Sequence, residues 1–466
     1  LLDGTFTAPS GTMTIGRNIN ANDTVFTQSG GTFNHNNGLT KFVSGNTNST
    51  YTYTVDTLPA GLILYNVEWS SSDSSTPDVL TTASGDAVTA ANNFIHTNGI
   101  LGGTWDVQGN VTINSGADGE GEWYQTLANG TLTMTGTGSK TYTYSAGGVG
   151  PHLRINNAAL SVSANAGTTD LFVHHFSLLA GTFTAPSGTM TIGRDSNALS
   201  ETIFTQSGGA FNHNNGSVKL VGAASNGTAT FTVDALSSGT TFYNFEYAGA
   251  TNINTLTTAA GDVVTVANDL LMTRGKMTGN WQVQGNFTIA AASQAGSLNL
   301  QFTGDKDQVY LNQSTANVTG NVTVNKTGGQ AALGSNATWN SGSQSLTITS
   351  GIFSMGNYNL SLGTGGLTVS AGGILRDIGT GDLTLAGNVT NNGLIEFRSN
   401  RSCGGSDQIL IRSSAAAQRT WSGSGNFIMR DVDVQYQAGS ASITAYSSTN
   451  SGNNGANWTF SGAACP

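Results

Sequence analysis

Apolar and polar residues alternate with a period of two along most of this chain. In YTYTVD (residues 51–56), LTMTG (132–136) and NLSLG (359–363), every second position is apolar, and mostly Thr and Ser stand between. That period describes a β-strand with one buried and one wet face. The runs are short and bounded by Gly, Asn and Ser, residues that supply turns. Long runs of the helix formers Ala, Leu, Glu, Lys and Arg are missing. The pattern predicts an all-β chain of many short strands.

The strands recur in order. LLDGTFTAPSGTMTIGR (1–17) returns as LLAGTFTAPSGTMTIGR (178–194), and FTQSGGTFNHNNG from Phe26 returns as FTQSGGAFNHNNG from Phe204. The match runs on through YNVEW and YNFEY (from Tyr65 and Tyr243) to WDVQGNVTI and WQVQGNFTI (from Trp105 and Trp281). A third copy begins at Leu346 and decays quickly. The long repeats are assigned to 1–177, 178–345 and a degenerate 346–466 with a C-terminal cap, written as one continuous stack. A shorter period lies inside them: GIF at Gly351 returns as GIL at Gly373 and GLI at Gly393. Such self-similarity is the mark of a solenoid. The expected fold is therefore a parallel β-helix of roughly 20 coils, about 20–25 residues each. At a strand spacing of about 4.8 Å it is a rod on the order of 100 Å long. Offsets that drift by one position fit single insertions in turns outside the stack. Two tandem β-sandwiches are the structural alternative.

Composition narrows the function. The 466 residues include 63 Gly and only 9% charged residues, which suits a narrow buried stripe better than a thick core. The formal charge is −10, and the 16 Lys and Arg form no basic stripe of the kind that tracks nucleic acid. No apolar run reaches the ~18 residues of a membrane span. The chain opens without Met, which reads as a processed or trimmed product whose removed residues are where an export signal would stand. Cys403 and Cys465 are expected to form a disulfide that staples the C-terminal end, in keeping with an oxidising compartment.

The SGTF-type turns, FYN-type strands and the GNNGANWTF ending resemble repetitive bacterial surface proteins. The families are autotransporter passengers and filamentous-haemagglutinin-like adhesins with parallel β-helices. The resemblance implies export, a right-handed helix and a role in adhesion, biofilm or surface layers. It carries over no functional residue, and no autotransporter barrel is visible at the C-terminus.

Catalytic carboxylates must lie within roughly 5–10 Å of each other, which in a solenoid means coil spacing. Asp305 and Asp307, Asp377 and Asp382, and Asp431 and Asp433 have no such partners and read as turn residues. Asp86 and Asp262 hold matched repeat positions, which points to a turn role. Catalytic and cofactor residues are expected to be absent, and the chain is read as no enzyme. Asp118, Glu120 and Glu122 form the densest acidic cluster and are a weak Ca²⁺ candidate. His174 and His175 would face opposite sides of a strand and could not chelate together, while His35 and His213 fit polar turns. The pairs Thr52/Thr54, Thr131/Thr133 and Thr189/Thr191 are too irregular for a flat ice-ordering ladder. Asn22, Asn48, Asn110, Asn129, Asn226, Asn286, Asn317, Asn321, Asn388 and Asn457 head N-x-S/T triplets and are candidate glycosylation sites.

Open coil ends invite another chain. Leu1 aligns with Leu178, a mid-stack position, so the N-terminal end reads as uncapped: either upstream coils have been removed or another subunit supplies them, and head-to-tail self-association is expected. The expected function is an extracellular or cell-surface structural protein with an adhesive or matrix role and surface glycans as further partners. The alternatives are a carbohydrate-binding or polysaccharide-cleaving β-helix, and a phage or secretion-associated fibre.

Overall fold

The computed structural model describes residues 1–16, 21–45, 49–72, 77–118, 130–164, 169–193, 200–222, 228–399 and 408–462. Every regular element among them is a β-strand, and every ladder is parallel. The fold is a parallel β-solenoid. No helix of the described residues is long and apolar enough to cross a membrane. The chain divides into two compact units, Leu1–Tyr243 and Asn244–Pro466.

Alternation becomes inward and outward columns. In the first unit Phe42, Trp69, His96, Ile113 and Tyr144 stack in register on successive coils, all buried. The neighbouring column on the wet face runs Lys41, Glu68, Ile95, Thr112 and Thr143. In the second unit Trp281, Leu300, Val322, Leu346, Leu367, Val389 and Trp421 form one inward column. Beside it Gln282, Gln301, Thr323, Thr347, Thr368, Thr390 and Ser422 face outward. Each fully buried Leu, Val or Phe contributes about 1.5–3 kcal/mol, so a single stripe repeated over many coils replaces a thick core.

Coil length varies more than the regular period expected from the sequence. Val434 meets Asn450 on the next coil after 16 positions, whereas Val389 meets Trp421 after a coil twice as long. Only the strands must match their neighbours, so turns take up the difference outside the stack.

The repeated FNHNNG segments show how a turn is fixed. Asn36, Asn37, Asn214 and Asn215 all have left-handed backbone angles (φ 48–56°), which Asn tolerates best after Gly. His35 Nδ1 accepts the Asn37 amide at 3.0 Å, and His213 Nδ1 accepts that of Asn215 at 3.1 Å. A Cβ on Gly38 would lie 2.2 Å from Pro9 O, and one on Gly216 2.2 Å from Pro186 O, so both turns close on glycine. His35 stacks on Tyr65 and His213 lies tilted against Tyr243, each with ring centroids 5.5 Å apart.

Candidate functional site

The near-identical segments at residues 1–16 and 178–193 occupy different surroundings. Strand Phe176–Thr184 is paired on both sides: Val162, Phe183 and Phe211 lie in register on three coils. Its counterpart Thr5–Thr7 pairs only with Thr32–Asn34, and no described residue pairs with its other edge. Strand Thr189–Gly193 lies between Leu171–Val173 and Ser217–Val221, while its counterpart Thr12–Ile15 has a described partner only in Leu39–Ser44. Side chains follow the backbone. Phe183 is fully buried and Phe6 is 45% exposed; Leu178, Met190 and Ile192 are fully buried, whereas Leu1, Met13 and Ile15 are half-buried. Leu2 is 80% exposed. One sequence thus gives a sealed coil in the interior and an apolar, unpaired face at the first coil.

Asx side chains bracket the coils at their corners. Asn359 Oδ1 accepts the Asp382 amide and Asp382 Oδ1 that of Leu410, both at 2.9 Å. Asp269, Asn286 and Val309 form a second such series. Several sequon asparagines belong to these brackets. Asn22, Asn110, Asn286 and Asn388 accept the amides of Thr52, Thr141, Val309 and Thr420, and Asn321 accepts both the amide and the hydroxyl of Ser345. Asn317 Oδ1 accepts the Asn312 side-chain amide, and Asn457 spends its Nδ2 on Ala441 O at 2.9 Å. Stacking accounts for Asn at these corners without a glycan. Asn48, Asn129 and Asn226 lie outside the described residues, as do Cys403, Cys465, Glu120, Glu122 and the side chain of Asp118.

The remaining acids are spread among structural roles. Asp86 and Asp262 close matched turns: Thr82 and Thr258 donate their hydroxyls to the two main-chain oxygens, at 3.2 and 3.4 Å. Asp307 accepts the Gln330 amide, and Asp433 holds Arg412 at 2.5 Å. Asp377 is buried and accepts the Gly379 amide; burial pushes its carboxyl up to about 7, with Asp382 adding to the rise. Asp431 is buried at a left-handed position. Near Asp305 and Asp307, Lys326 is buried and donates to Lys306 O at 2.7 Å and Gln308 Oε1 at 2.6 Å. Burial pulls its pKa down, against the pull of the two carboxylates.

The one constellation among the described residues that looks like chemistry joins four residues from three successive coils. His152 Nε2 lies 2.8 Å from Ser177 Oγ, His175 Nε2 lies 3.1 Å from Glu201 Oε2, and the two imidazoles meet edge to face at 5.4 Å. Sequence reasoning missed it, although His152 and His175 stand one coil length apart in the chain. His174 and His175 lie in the link between two strands, the first buried and the second half-buried beside Glu201. Burial, with His175 and Arg154 nearby, pulls His152 down to about 4. An imidazole so weakly basic is poorly matched to general-base work near neutral pH. Ser177 is itself buried. Among the described residues no group of three or more His, Cys, Asp or Glu is placed to hold a metal ion.

A groove of about 290 Å³ lies on the outer face of the second unit, lined by Asn280, Gln282, Asn299, Gln301, Asn321 and Thr323 among others. Its amides partly satisfy one another, as in Asn299 Nδ2 to Asn280 Oδ1 at 3.0 Å. The threonine pairs do not continue as ladders, since Thr52 sits over Val79 and Thr191 over Lys219. Compared with family models, curated proteins and solved structures, the chain matches none.

Proposed function

We propose that this chain is a structural module of the cell surface or extracellular space, a β-solenoid that stacks head-to-tail into a fibre with an adhesive or matrix role. One observation carries the reading: the open face of the first coil has the residues of an interior coil. Where those residues recur at 178–193, a parallel coil covers them through Val162 and Leu171–Val173. The complement of the open face is therefore another β-coil, supplied either by residues upstream in a longer chain or by a further copy, and the fibre reading takes the second. A heterologous contact of this kind propagates when it does not close. The resemblance to repetitive bacterial surface proteins and the low charge support the extracellular setting.

Electron microscopy of the purified chain tests the reading. Filaments or end-to-end strings that lengthen with concentration are expected. Isolated particles at every concentration would overturn it.

A further inference from the structure

The second unit places arginine on arginine. Arg398 ends strand Leu394–Arg398 and lies in register with Arg430, the end of strand Asn426–Arg430, and Arg430 lies in register with Tyr446. The three side chains form one column on the wet face, about 4.8 Å apart from coil to coil. Like charges directly opposite one another destabilise a sheet pair. A chain with only 16 cations has nonetheless stacked two of them.

The neighbouring column shows what this face holds. Glu396 lies in register with Arg376 and binds it at 2.9 Å through Oε2, while its other oxygen, Oε1, takes Arg398. One carboxylate thus bridges two guanidinium groups, and that position is filled from within the chain. One coil further on, Glu396 is succeeded in register by Ile428, which brings no charge. Among the described residues Arg430 has no acidic partner. Of the acids that follow it, Asp431 is buried and Asp433 holds Arg412. Among the described residues the charged groups of this face, Arg376, Glu396, Arg398 and Arg430, leave an excess of two positive charges. Tyr446, 44% exposed, extends the column with an aromatic ring.

We propose that Arg398, Arg430 and Tyr446 form a binding face for a carboxylated polysaccharide, a polymer of uronic acid. A ligand carboxylate would bridge Arg398 and Arg430 as Glu396 bridges Arg376 and Arg398, and guanidinium forks match carboxylate geometry. The tyrosine ring offers an apolar face to the adjoining sugar. The site stands on side chains within one unit and does not depend on stacking between copies.

The test is calorimetric titration of the full chain with polygalacturonate, with fully methyl-esterified polygalacturonate and heparin as comparison arms. Polygalacturonate should bind, weaken with salt, and lose about tenfold in affinity in Arg430→Gln. Lys140→Gln, on the first unit, should bind as the parent does, and the methyl ester should not bind. Arg430→Gln should keep or slightly raise the melting temperature, because it relieves the stacked charges. The proposal fails if the parent does not bind polygalacturonate or if Arg430→Gln binds it equally well. It also fails if the ester binds as tightly as the acid, or if heparin alone binds, which would mean a sulfated ligand.

Discussion

Phe6 and Phe183 stand in almost the same sequence and in opposite surroundings, so truncating each to alanine isolates the effect of the neighbouring coil. Phe183 is fully buried, in register between Val162 and Phe211, with the Phe176 ring 4.6 Å from its own. Removing such a side chain costs about 3–5 kcal/mol. Phe6 stacks on the ring of Phe33, at 5.7 Å, and is 45% exposed. About half of its surface is already wet, so Phe6→Ala should cost roughly 1–2 kcal/mol in the unassociated chain. Long coil arrays need not unfold in one step, so a global melting curve would blur the comparison. Amide hydrogen exchange read at Phe183–Thr184 and at Phe6–Thr7 reports opening locally. Dilute protein keeps the ends apart. The expected result is a loss of protection at Phe183 larger by about 2 kcal/mol than at Phe6. Equal losses would refute the claim that the first coil is uncovered.

Four further outcomes follow from single residues. Lys326→Met should destabilise the second unit by about 3 kcal/mol, because it leaves Gln308 Oε1 and the Lys306 carbonyl without their donor; chemical denaturation measures this. Burial holds His96 at about 4 against its ordinary 6.5, so the unfolded chain takes up a proton that the fold refuses between those values, and stability falls as pH drops through them. The loss from His96 is about 2 kcal/mol at pH 5. His96→Gln should therefore shrink the gap in melting temperature between pH 7.5 and pH 5. Asp377 acts in the opposite sense: with its carboxyl raised to about 7 from 3.8, it favours the fold on the acid side, and that contribution is lost as pH rises from 3.8 to 7. Asn286→Ala removes a corner bracket and should cost about 1 kcal/mol, whereas unchanged stability with a loss of glycan mass would assign that asparagine to glycosylation instead.

Much of the fold is legible in the sequence because strands obey a strict rule. Alternation fixes which residues point inward, and duplication fixes which strands correspond, so columns such as Trp281–Leu300–Val322 can be anticipated. Coil length is not legible, because turns of different sizes leave the stacked strands unchanged. The short return from Val434 to Asn450 and the long one from Val389 to Trp421 show this. Contacts between coils suffer most from it. His152 meets His175 and Arg398 meets Arg430 at unequal spacings along the chain, and no single period predicts both meetings. The reading of 16 scattered cations overlooked the stacked arginines for that reason. The corner role of Asn was masked by its abundance: in a chain rich in Asn, Ser and Thr, a sequon and a bracket look the same.

The central proposal is that the first described coil is completed by another β-coil, and that a further copy supplies it where no upstream coil does. Light scattering across a wide concentration range tests it most directly, with the parent chain beside Phe6→Lys. A lysine at that position puts a charge on the open face at little cost to the coil beneath, because the site is already 45% exposed. The parent should grow in mass with concentration, and Phe6→Lys should stay at the 47.7 kDa of one chain. A parent that remains at that mass throughout, or a variant that associates just as strongly, would contradict the account.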